Sequence, residues 1–277
     1  MQVLDALAAT YDPFPLRRER AAELSTRYPF ATQLLDFYGR LTEVQARAFV
    51  AARAAQLTQS ELAAFAAERV VPDVIDITTE AGPRALVEAV VECFVSVDME
   101  NVMRRWLESP TPALSPVEAY LARAACSPVL EAIVESLALP PPANPPRPLG
   151  EGRGEGSCPR CGGLPQLSYF ALSGEALVSG PRYLVCARCS HNWVFSRMTC
   201  AACGEQETQR LPIYQEGEHL PHMRVDACES CHRYLLTIDL RKDTRAIPIV
   251  DEIAGLPLDL YARERGMTKI TPNLLGN

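Results

Sequence analysis

From Pro29 onward, Phe30, Leu34, Phe37, Leu41 and Val44 recur at alternating steps of four and three. That spacing lays one apolar stripe along a helix, and proline suits a helix's first turn. Thr58 with Glu61 has the form of a capping box, as does Ser115 with Glu118 behind Pro116; each marks a helix start. Ser127-Pro128 offers another start. A further helix is expected over residues 84–107, with Leu86, Val90, Phe94 and Val97 along it. Residues 16–138 therefore read as a helical bundle whose stripes form a packed core.

Beyond residue 165 the helical period gives way to alternation and turn formers. Residues 166–172, 182–185, 191–195 and 234–239 read as short strands. A last helix is expected to start near Leu258 and end before Gly266. Between the two regimes, residues 140–156 read PPPANPPRPLGEGRGEG. Proline removes backbone donors and glycine adds freedom, so this run is expected to be a linker. The expected class is α+β in two parts. Residues 1–139 form the helical domain, 140–156 the linker, 157–198 a first metal-binding unit, and 199–277 a second with a C-terminal helix.

Composition narrows the function. The chain has 277 residues and a formal net charge of −7, and the half from residue 157 holds 13 basic and 13 acidic residues. A general grip on nucleic acid calls for a basic surplus, which is absent. No apolar run approaches the roughly 20 residues that span a bilayer, so membrane insertion is not expected. Met1 to Phe14 lacks a basic start followed by an apolar stretch, which argues against a secretory leader and for the cytoplasm. No catalytic triad, phosphate loop or defensible carboxylate pair is found, so the chain is not expected to be an enzyme.

Of ten cysteines, eight fall in four C-x-x-C motifs: Cys158/Cys161, Cys186/Cys189, Cys200/Cys203 and Cys228/Cys231. A shift of 42 residues superimposes the first two motifs on the last two, and also Gly162 on Gly204 and Arg182 on Arg224. This is an internal duplication. Each C-x-x-C turn presents two thiolates, and two such knuckles complete a tetrahedron. The expected quartets are Cys158, Cys161, Cys186 and Cys189, then Cys200, Cys203, Cys228 and Cys231. The framework is rubredoxin-like or zinc-ribbon-like, and an all-sulfur tetrahedron suits zinc or a single iron. Four protein ligands leave no open position for Lewis-acid catalysis. Cys93 and Cys126 are expected to be core thiols, and His191, His219, His222 and His232 are not expected to be ligands.

These motifs resemble those of the formate dehydrogenase accessory proteins, the FdhE family. The resemblance rests on Cys158-Pro-Arg-Cys161-Gly162, on Arg182-Tyr-Leu-Val-Cys186-Ala-Arg-Cys189 with Asn192-Trp193, and on Arg197-Met-Thr-Cys200. It extends to Ala227-Cys228-Glu-Ser-Cys231 with Tyr234-Leu235, to Asp251-Glu252-Ile253-Ala254 with Leu258-Asp259, and to Tyr120-Leu-Ala-Arg123 before Pro128-Val-Leu. The family usually carries two aspartates before Leu-Ala, where this chain has Asp251-Glu252-Ile253-Ala254. The resemblance implies a cytoplasmic maturation factor that binds the catalytic subunit of respiratory formate dehydrogenase, with two metal ions, iron favoured over zinc. Arg188, Asp251 and Glu252 are the candidate partner contacts. The competing functions are a rubredoxin-type electron carrier and, further off, a tandem zinc ribbon that binds nucleic acid.

Overall fold

The computed structural model describes residues 12–134, 156–172 and 180–276. The expected linker, 140–156, lies outside them except for Gly156, as does the start of the chain through residue 11.

Helix α1 (Phe14–Arg27) is followed by a 3-10 turn (Pro29–Ala31) and the long α2 (Thr32–Ala55). The turn takes Phe30 off the expected stripe and leaves it 51% exposed; Leu35 and Tyr38 join Phe37, Leu41 and Val44 in the core instead. The Thr58–Glu61 box is formed and opens a short run into α3 (Leu62–Phe65). A π-helical turn (Ala66–Val70) leads to α4 (Val71–Ala81). Pro72 has no N–H to give Glu68, and the wider turn absorbs that mismatch.

The expected helix over 84–107 is two helices, α5 (Arg84–Ser96) and α6 (Met99–Glu108). Val97 is extended, and the Asp98 side chain accepts from Asn101 N, so a fresh N-cap starts α6. Phe94 is exposed rather than inward. Ser127-Pro128 starts nothing: Pro128 lies inside α7 (Pro116–Ile133), which the Ser115–Glu118 box opens. A proline there cannot donate to Ala124 O. Gln45 Nε2, from α2, donates to that carbonyl at 3.2 Å. A side chain from the neighbouring helix thus supplies the donor that the sequence lacks.

The strands are β1 (Pro165–Phe170), β2 (Arg182–Cys186), β3 (Asn192–Phe195), β4 (Ile213–Tyr214), β5 (Met223–Cys228) and β6 (Arg233–Asp239). Helices α8 (Pro248–Ala254) and α9 (Leu256–Glu264) and strand β7 (Thr268–Lys269) follow. The sheet order is β3-β2-β1-β6-β5-β4, with β7 beside β6. All joints on this path are antiparallel except β1–β6. The duplication accounts for the exception. Two meanders laid side by side by translation bring the first strand of one against the third strand of the other, and those strands run the same way.

Three cores result. Helices α2 to α7 enclose the largest, and Cys158, Cys186 and Cys189 close its edge. A second joins α1 to α8, α9 and one face of β5 and β6. On the opposite face, Leu184, Phe195, Ala201, Leu235 and Ile270 form a small third. No described helix is long and apolar enough to cross a membrane.

Candidate metal centres

Each knuckle is shaped by its backbone. Gly162 and Gly204 have φ of 70° and 77°, the left-handed region that glycine adopts without strain. Their N–H groups donate to Cys158 O and Cys200 O at 2.9 and 3.0 Å, closing the turn identically in both repeats. The second knuckle of each repeat makes the same bend without glycine, at Ser190 (φ 57°) and His232 (φ 55°), which are also 42 residues apart. Neither residue type marks this pair, although the 42-residue offset matches them. Arg188 N and Ala202 N each point at a cysteine sulfur, 3.4 Å from Cys186 Sγ and Cys200 Sγ.

The sulfurs gather into the expected quartets, with all four Sγ atoms of each within 4.8 Å of one another. Cys158 Sγ lies 3.7 Å from Cys189 Sγ, and Cys161 Sγ 3.4 Å from Cys186 Sγ. In the second quartet the Cys200–Cys231 and Cys203–Cys228 separations are 3.8 and 3.7 Å. A metal about 2.3 Å from each sulfur makes a tetrahedron with edges of about 3.8 Å, whereas a disulfide needs about 2.05 Å. The donor sets fit one tetrahedral metal ion each and do not fit disulfides. Charge points the same way. Hydrogen bonds from Cys158, Cys186 and Cys189 hold Cys161 far below the usual thiol range, while burial pushes Cys186 well above it. Only a cation lets all four sulfurs be thiolates together.

The two centres differ in setting. Cys158, Cys186 and Cys189 are buried and packed on the helical core. Arg188, inside that knuckle, lies over the Trp106 ring at 4.8 Å and donates to Leu107 O at 2.6 Å. In the second centre Cys203 is exposed and Cys231 half-buried. Cys93 and Cys126 are buried in the helical core, outside both quartets. Neither His191 nor His232 belongs to either quartet.

The three residues expected at a partner surface are all inside. Arg188 is 7% exposed, and Asp251 and Glu252 are fully buried. Partners far off in sequence explain this correction. Asp251 accepts from Arg20 Nε at 3.0 Å, lies 2.9 Å from His222 Nε2, and accepts from Ile247 N at 2.8 Å. Asp243 and Asp251 thus share the Arg20 guanidinium, and His222 lies on Asp251. Glu252 pairs with Lys269 at 2.8 Å and accepts from Gln166. Lys269 also reaches Asp259 at 3.0 Å, and Asp259 accepts from Tyr234 OH at 2.8 Å.

Comparison with known proteins accords with this architecture. The FdhE central-domain family model matches residues 157–197, and the FdhE C-terminal-domain model matches residues 198–275. A protein FdhE homolog of Aquifex aeolicus is 35% identical over 119 residues, 43% of this chain and 41% of that protein. One from Pseudomonas putida is 30% identical over 149 residues, 53% and 45% of the two chains. The matched segments thus span under half the length of these relatives. The crystal structure of the FdhE protein from Pseudomonas aeruginosa superposes with a TM-score of 0.66 at 22% identity, covering 95% of each chain, and so has the same fold. Residues 157–275 thus match the FdhE central and C-terminal domains, and the chain shares the fold of the FdhE protein from Pseudomonas aeruginosa along nearly its whole length.

Proposed function

We propose that this chain is a cytoplasmic accessory protein of formate dehydrogenase, which binds the catalytic subunit of that enzyme and supports its activation or assembly. It acts by binding and is not itself an enzyme. Each cysteine quartet holds one metal ion, iron by family resemblance. The observation that carries the reading is the pair of four-sulfur clusters in an FdhE fold. Four protein sulfurs close the coordination sphere, so the metals brace a binding surface rather than activate a substrate. The test is co-purification of the tagged chain with the catalytic subunit from cells making both, with metal analysis of anaerobically purified protein. A stable complex and two metal ions per chain are expected. Failure to capture the subunit, together with unchanged formate dehydrogenase activity in cells lacking this chain, would overturn the proposal.

The exposed position of Cys203 favours a second reading, one-electron transfer through the outer centre. A reversible redox titration of the iron-loaded protein supports that reading, and a spectrum silent across the accessible potential range removes it.

A further inference from the structure

A cavity of about 240 Å³ opens on the sheet face away from the helices. The alternation of β5 and β6 produces it. Val225, Tyr234, Leu236 and Ile238 face the helices, which turns Arg224, Asp226 and Leu235 to the other side. Five arginines line the cavity, Arg182, Arg197, Arg224, Arg233 and Arg241, against one carboxylate, Asp226. Asp226 is shared, at 3.2 Å from Arg182 and 2.9 Å from Arg224. Arg241 is paired with Asp239 at 2.6 Å. Arg197 donates to the Gly180 carbonyl. Among the described residues neither Arg197 nor Arg233 meets a carboxylate. Two carboxylates therefore serve five guanidinium groups, in a chain whose net charge is −7.

The cations are also crowded. Arg197, Arg224 and Arg241 lie 4.9, 4.7 and 5.1 Å from the centre of one ring, that of Phe170. The ring's negative face attracts each of them, but like charges held so close repel. A ligand bearing negative charge relieves that repulsion. The rest of the wall is aliphatic, with Leu211, Ile213, Leu235 and Ile270, and the space is far larger than a lone ion fills.

We propose that this cavity binds a small organic phosphate: a dianionic phosphoryl group held by the arginines, carried on an apolar body that lies against the aliphatic wall. Phosphate fits better than a single carboxylate. It offers three terminal oxygens and two charges to several convergent forks, the arrangement in which arginine excels.

The test is calorimetric titration of the full-length, metal-loaded chain with phenyl phosphate, inorganic phosphate and phenol. Phenyl phosphate is expected to bind, at least tenfold more tightly than inorganic phosphate, and phenol not at all. Arg224→Ala and Arg233→Ala are each expected to weaken phenyl phosphate roughly tenfold, the loss of one charge-assisted hydrogen bond. Arg224 supports the fold through Asp226, so its variant can fail to fold. Arg233 is exposed and without an ion pair among the described residues, and Ile213→Glu puts a negative charge at a position 54% exposed. Those two variants then decide, and both must weaken binding. No binding of phenyl phosphate to the parent overturns the proposal, as does equal affinity for phenyl and inorganic phosphate. Unchanged affinity in Arg233→Ala and Ile213→Glu overturns it as well.

Discussion

Lys269 is one of only two lysines in the chain, and it is buried between Glu252 and Asp259. Burial pushes the Glu252 carboxyl up, and Lys269 opposes that shift. Removing one partner of such a group leaves charge buried and uncompensated. Lys269→Met should therefore cost about 3–5 kcal/mol, read from the midpoint and slope of urea unfolding. Adding Glu252→Gln to Lys269→Met should recover part of the loss. None of this was legible in the sequence. Asp251 and Glu252 stand as adjacent acids near a helix start, which reads as a surface feature. Their partners lie elsewhere: Arg20 is 231 residues from Asp251, and Gln166 is 86 from Glu252. Arg188 is hidden for the same reason, because its place over Trp106 depends on how a helix of the bundle docks on the knuckle. The cysteine quartets were legible because C-x-x-C fixes half of each site locally and the 42-residue repeat pairs the halves.

Local chemistry made two helix starts readable and hid others. Both capping boxes formed where the side chains required them. The break at Val97 and the uninterrupted run through Pro128 were hidden, since one depends on a cap within an apolar stripe and the other on a donor from α2. The Ser115–Glu118 box gives a test with a pH signature. Hydrogen bonds from the Ser115 backbone and hydroxyl hold Glu118 below its ordinary value of 4.5. A carboxylate depressed in the folded state stabilises above its unfolded pKa, and the contribution fades as pH falls through the folded pKa. Ser115→Ala should cost about 1 kcal/mol. Glu118→Gln should lose about 0.3–1 kcal/mol at neutral pH, and its unfolding curve should converge on the parent's as pH drops below 4.5. The metal units differ as elements too. Cys186 lies in the core of α2 to α7, whereas no second-quartet cysteine joins a core cluster. Limited proteolysis of Cys186→Ser should cut both halves of the chain, while Cys228→Ser should leave α2 to α7 intact.

At the scale of the molecule, the duplication foretold two similar units but not that they would share one sheet. That depends on the β1–β6 joint, which no local signal encodes. Nor does any stripe in α1 reveal that, lying along α2, it also joins a core with β5, β6, α8 and α9. This arrangement has a consequence for how the chain comes off the ribosome. Helix α1 can pack along α2 early, with Phe14 against Phe49, yet Leu24 and Tyr28 gain the rest of their core, and Arg20 gains Asp243 and Asp251, only when residues 220–262 have emerged. At ordinary translation speeds of roughly 5–20 residues per second, the delay is on the order of 10–50 s. Through that interval α2 to α7 can assemble while one face of α1 stays uncovered. Nascent chains arrested near residue 200 should therefore be cut by protease more readily within α1 than within α2 to α7. Chains arrested far enough beyond the end for residue 262 to clear the ribosomal tunnel should be protected in both. Equal protection of α1 at the two lengths would mean that its contacts with α2 and α7 are enough to hold it.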